Sequence, residues 1–171
     1  MPAIKELLSG GEDDLISRLK LPNPKRRLKA IVDIKKLIQK KFATISAVQA
    51  REMLEPLQLL VRELLKDDAQ EVYLEALNLL KFIVGSLAPH LTGLDLHLMI
   101  GQFISLIVTN AGTANMRIRV ASDKVIIYFA KHSNIGSFIV AKEVLKNIER
   151  ISKAMATQPP SSMSQSEYQD E

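Results

Sequence analysis

The chain of 171 residues contains no cysteine and no tryptophan, and its aromatic content is 5%. Without cysteine there is neither a disulfide framework nor a thiolate metal site, a composition that fits a reducing compartment. The few aromatic residues are not interleaved with the basic ones, so the stacking platforms of single-strand nucleic-acid binders are missing. No secretory apolar core opens the chain. The most apolar stretch, residues 94–108, is interrupted by Asp95, His97, Gly101 and Gln102 and reads as too short to span a bilayer. Glycine-rich phosphate loops are absent as well, since Ser9-Gly10-Gly11 stands alone. His90, His97 and His132 are far apart, with no metal-ligand spacing, and no acid/base pair or nucleophile constellation emerges. The expectation is a soluble intracellular protein that is not an enzyme, with no cofactor, no metal and no small-molecule substrate.

What is present is a repeat. Ala30, Ala76 and Ser122 are small residues on an apolar helical pattern, spaced by 46 residues both times. Leu28, Leu74 and Val120 precede them by two. Ile34, Leu80 and Ile126 follow by four, and Leu37, Ile83 and Phe129 by seven. A period of this length marks stacked helix pairs of the HEAT or armadillo kind. The apolar residues are mainly Leu, Ile, Val and Ala, which suits ridge-into-groove helix packing. The fold class expected is all-α: a solenoid of about three helix pairs plus one extra helix.

Breakers and caps place these helices. A lead-in covers residues 1–11, and Glu12-Asp13-Asp14 opens a short helix to about residue 20. Pro22 and Pro24 stop it, and Pro24 suits the first position of a second helix to about residue 42. Thr44 or Ser46 caps a third helix to about residue 66, with a kink expected at Pro56. Asp67-Asp68 forms a turn and cap before a fourth helix, which Pro89 stops. Thr92 or Asp95 caps a fifth to residue 109. A sixth runs from about Asn115 to His132, and Ser133-Asn134 caps a seventh to about residue 153. Residues 154–171, polar and rich in proline and serine, read as a disordered tail. The domain therefore spans residues 12–153.

In a solenoid the equivalent turns, here 20–24, 66–69 and 109–115, line up along one edge. The first leads into Lys25-Arg26-Arg27. The middle one carries Asp67, Asp68 and Gln70. The third leads into Asn115, Met116, Arg117, Ile118 and Arg119. Cations at a helix N-terminus oppose the macrodipole, so their presence there suggests an outside partner. A solvated surface turn is the plain alternative. The net charge is +4, and with no Lys or Arg after Lys153 but three acids, residues 1–153 carry +7. A basic body invites an acidic partner. Lys35, Lys36, Lys40 and Lys41 form a further stripe that reads as a solvated helix face, and nucleic-acid binding through it is the less favoured alternative.

The turn-and-helix sequences resemble those of the TOG domain, the HEAT-repeat module of tubulin-binding microtubule regulators. The matching segments are Pro24-Lys25-Arg26-Arg27-Leu28-Lys29-Ala30, Asp67-Asp68-Ala69-Gln70-Glu71-Val72-Tyr73-Leu74-Glu75-Ala76-Leu77, and Ile118-Arg119. Divergent TOG domains of ciliary-tip proteins and of one MAP kinase kinase kinase class resemble this chain. The resemblance implies a non-catalytic module whose intra-repeat turns bind the α/β-tubulin heterodimer. Lys25, Arg26, Arg27, Gln70, Arg117 and Arg119 would be the contacts, with Asn115 beside them on the third turn. It also implies a cytoplasmic location at the cytoskeleton or cilium. The alternative is a generic HEAT or armadillo adaptor that holds another protein or peptide on its helical face. The seventh helix carries Phe138, Ile139, Val140, Val144, Leu145, Ile148 and Ile151, many apolar positions for the end of an array. Packing on a second copy or on further chain is expected there.

Overall fold

The computed structural model describes residues 15–156. The expected lead-in, the acidic opening Glu12-Asp13-Asp14 and residues 157–171 of the expected tail lie outside the described residues. Within them there are seven α-helices and no strand: α1 (Leu15–Leu19), α2 (Pro24–Phe42), α3 (Ala47–Leu64), α4 (Gln70–Leu87), α5 (Gly93–Ala111), α6 (Met116–Lys131) and α7 (Ser137–Ala156). A short 3-10 turn, Ala88–His90, contains Pro89 after α4.

The helices form two layers. α2 packs on α4 and α4 on α6, while α3 packs on α5 and α5 on α7. Across the layers α1 pairs with α2, α3 with α4 and α5 with α6. This is the helix-pair solenoid that the repeat implies. Ala30, Ala76 and Ser122 are each wholly buried. Small side chains at these points let the three second helices approach closely, and larger neighbours such as Ile34, Leu80, Ile83 and Phe129 fill the space around them.

Polar side chains repeat the same register. Asn110 Nδ2 donates to the Leu65 carbonyl at 3.3 Å, Asn134 Nδ2 to the Ala88 carbonyl at 3.1 Å, and Arg150 Nη2 to Ser105 Oγ at 2.8 Å. Arg51 pairs with Asp95 at 3.1 Å across α3 and α5. Each of these links joins residues 44 to 46 positions apart, one repeat length. Every rung therefore ties one helix pair to the next.

Most helix ends follow local chemistry. Asn23 caps α2, its side chain accepting from the Lys25 N–H, with Pro24 at the first helical position. Ser46 and Gln49 form a capping box on α3, and Thr92 and Asp95 form one on α5. Pro56 sits inside α3, at the position of the expected kink. Three expectations need correction. Asp67-Asp68 does not cap α4: Ala69 occupies that position with no side-chain bond. The seventh helix does not start from Ser133-Asn134, because residues 132–136 make a turn ending at Gly136, whose φ of 83° favours glycine. Finally, the stretch judged too short for a bilayer belongs to a helix of 19 residues. Gln70–His90 and Gly93–Ala111 are both long and apolar enough to cross a membrane by length and composition. In this fold their apolar faces serve the core: nine residues of α4 and six of α5 are buried.

The anchor positions yield a first expectation. Ala76→Leu forces three extra carbons into a filled crossing and should lower the unfolding free energy by about 1–3 kcal/mol, measured by urea denaturation. A second concerns acid. The Thr92 hydroxyl, more than the Thr92 N–H and Arg51, holds the Asp95 carboxyl below its usual pKa against a smaller desolvation effect. A lowered carboxylate pKa stabilises above the unfolded value of about 3.9 and loses that stabilisation as pH falls through the folded value. Asp95→Asn should thus reduce the melting temperature at pH 7, and the gap from the parent should narrow as pH drops below about 4.

Candidate functional site

The connectors within the three helix pairs are residues 20–23, 65–69 and 112–115. Side-chain contacts tie them into one edge. Arg27, one turn into α2, reaches the second connector: Nε donates to Asp67 Oδ2 at 2.7 Å and Nη2 to Asp67 Oδ1 at 2.8 Å. Only a guanidinium makes this two-pronged fit to a carboxylate. Nη1 donates to the carbonyls of Leu21 and Pro22 at 2.8 and 2.9 Å. Arg27 thus binds its own connector and the next one at once. Both partners are largely shielded, with side chains 14% and 12% exposed. The hydrogen bond to Asp67 raises the Arg27 pKa above its ordinary value; burial opposes this, and the charges of Asp67 and Asp68 add to it. Asp67 Oδ1 also accepts from the Ala69 N–H, which orders the approach to α4.

A second contact joins the middle connector to the third. Asn115 Nδ2 donates to Gln70 Oε1 at 2.8 Å, while Asn115 Oδ1 accepts from the N–H groups of Arg117 and Ile118 and caps α6. Beneath it, the Tyr73 hydroxyl and Ser122 Oγ share a buried hydrogen bond of 2.8 Å. Burial pushes the Tyr73 pKa up, so the phenol is neutral and available for that bond.

The seven candidate residues fall into two sets. Arg27, Gln70 and Asn115 bond across connectors and hold the edge together. Lys25, Arg26, Arg117 and Arg119 are exposed on the first turns of α2 and α6, two at one end of the edge and two at the other. Arg119 Nη2 lies 3.5 Å from the Met116 sulfur, and Met116 is itself 61% exposed. Of the lysine stripe, Lys36, Lys40 and Lys41 are exposed, whereas Lys35 lies over the Phe82 ring at 5.9 Å. His97 packs toward Glu143 at 3.5 Å, between α5 and α7. Among the described residues no group of three His, Asp or Glu could hold a metal ion.

Sequence reasoning missed the role of Asp67. An acid before a helix reads as a cap, and nothing local shows a partner 40 residues away. The repeat did hold a signal. Asp67 and Leu21 are equivalent one period apart, and Arg27 binds both.

The comparisons with known proteins agree with this geometry. The family model described as "Centrosomal protein CEP104, TOG domain" matches residues 13–167. The chain belongs to the CEP104 TOG-domain family. A solved structure titled "CEP104 TOG domain" superposes with a TM-score of 0.65 at 21% identity, over 92% of this chain and 70% of that one. The TOG domain of human Cep104 gives a TM-score of 0.65 at 19% identity, over 92% of this chain and 66% of its own. No curated protein matches. The TOG domain is a non-catalytic protein-interaction fold, and the family's name is that of a centrosomal protein.

In this TOG domain the clasp predicts its own test. Arg27→Ala strands the shielded Asp67 and should cost about 1–3 kcal/mol of folding stability. Arg27→Lys should recover only part of the loss, because an ammonium cannot form the fork. Urea unfolding of the three proteins measures both effects.

Proposed function

We propose that this chain binds the α/β-tubulin heterodimer through the edge formed by its intra-repeat connectors. The observation that carries the reading is the juxtaposition itself: three connectors bonded side by side, with paired exposed cations at both ends. The pairing of one central acid supports it. Asp67 is occupied by Arg27, so the two basic clusters act on a partner with little internal cancellation from that carboxylate. Lys25, Arg26, Arg117 and Arg119 then attract an acidic protein surface, speeding encounter and setting register in a salt-dependent way. Met116 adds an exposed apolar contact beside them. Arg27, Gln70 and Asn115 contribute by shaping the edge rather than by offering free charge. The work of the module is to contribute to microtubule regulation, at a cytoplasmic, cytoskeletal or ciliary site.

The test separates the edge from the helix faces. Reversal of Arg117 and Arg119 to Glu, or of Lys25 and Arg26 to Glu, should weaken tubulin association by at least about tenfold at low salt. Circular dichroism should be unchanged for both variants. Reversal of Lys36 and Lys40 on the outer face of α2 should alter binding far less. Full binding by both edge variants contradicts the proposal, and so does loss of binding in the Lys36 and Lys40 variant alone, which would set tubulin on a helix face instead of the edge.

A further inference from the structure

The outer face of α7 is apolar. Phe138, Leu145 and Ile148 are 80%, 60% and 47% exposed, with Ala141 exposed between them and Ser152 exposed just beyond. The steps from 138 to 141, 145, 148 and 152 alternate three and four residues, the spacing of a coiled-coil seam. α6, which packs against α7, adds exposed Val120 and Ile127, seven residues apart on one face of its own. Exposed apolar residues gathered on one helix face mark a contact site.

We infer that α7 packs antiparallel against α7 of a second copy of this chain, about a two-fold axis. The charges beside the seam select this arrangement. Lys142 and Glu149 are exposed on the same flank, seven residues apart, and neither is ion-paired among the described residues. Setting Leu145 opposite Ile148 of the second copy places Ala141 against Ser152, small against small. The same register brings Lys142 beside Glu149 of the second copy, and symmetry forms that ion pair twice. On the other flank half-buried Val144 meets Ile151. A parallel seam also sets small against small, but it places Glu149 against Val144 and leaves Lys142 without an acidic partner. The self-complementary pattern therefore specifies both the occupant and its direction. This contact is separate from the connector edge and does not depend on tubulin binding.

Sedimentation velocity on the 171-residue chain tests the inference. The parent should sediment with twice its 19.1 kDa mass at micromolar concentration. Glu149→Lys, which places like charges together twice, should weaken dimerisation roughly tenfold. The swap Lys142→Glu with Glu149→Lys should restore parental association. Leu145→Asp, which puts a charge into the seam, should weaken it by about 100-fold or more. The side chains altered are exposed in the single chain, so helix content by circular dichroism should stay unchanged. Arg117→Glu with Arg119→Glu should leave the dimer intact. A parent that is monomeric throughout, a dimer indifferent to Leu145→Asp, or a charge swap that fails to restore association overturns the inference.

Discussion

The burial of a small residue at the same repeat position of each second helix, Ala30, Ala76 and Ser122, is the constraint on which the rest depends. All three residues are wholly buried. A small side chain at each crossing sets how near α2, α4 and α6 come, and the spacing of the crossings sets their register. Once the second helices are stacked in register, their N-terminal ends are stacked as well. The connectors that feed them have no freedom to scatter. The polar rungs at one repeat length, from Arg51 to Asp95 and from Asn110 to the Leu65 carbonyl, hold the same alignment in the rest of the molecule.

On that edge the residues divide their work. The clasp between Arg27 and Asp67 and the bond between Asn115 and Gln70 fix geometry. The exposed cations at the two ends supply charge. The division explains an oddity of the sequence, basic residues at helix N-termini where the macrodipole disfavours them. Arg27 is held there by a carboxylate and two carbonyls. Lys25 and Arg26 at one end, and Arg117 and Arg119 at the other, have no such carboxylate fork and are exposed toward solvent.

Much of this was legible in the chain because it is periodic. The repeat located the crossings, and Pro24 together with capping residues such as Ser46 and Thr92 located helix starts, since each cap acts on an N–H group three residues away. Interactions of longer reach were not legible. Asp67 looks the same locally whether it caps α4 or holds Arg27. The start of α7 depends on Gly136 taking a positive φ, and a nearby Ser-Asn pair offered an equally good local cap. Likewise the apolar count of α7 showed that it was rich in such residues. Only the packed structure shows that Val140 is buried while Phe138, Leu145 and Ile148 face outward. The basic candidates of the connectors were found by alignment with the repeat, yet their sorting into structural and exposed sets required partners from neighbouring repeats.

Hydrogen–deuterium exchange of the chain with and without α/β-tubulin tests the central claim most directly. Alignment of the connectors as the binding edge predicts added protection in peptides covering residues 20–29, 65–71 and 112–119 together, with the outer faces of α3 and α5 unchanged. Protection confined to a helix face, or to one connector with the other two unaffected, would contradict it.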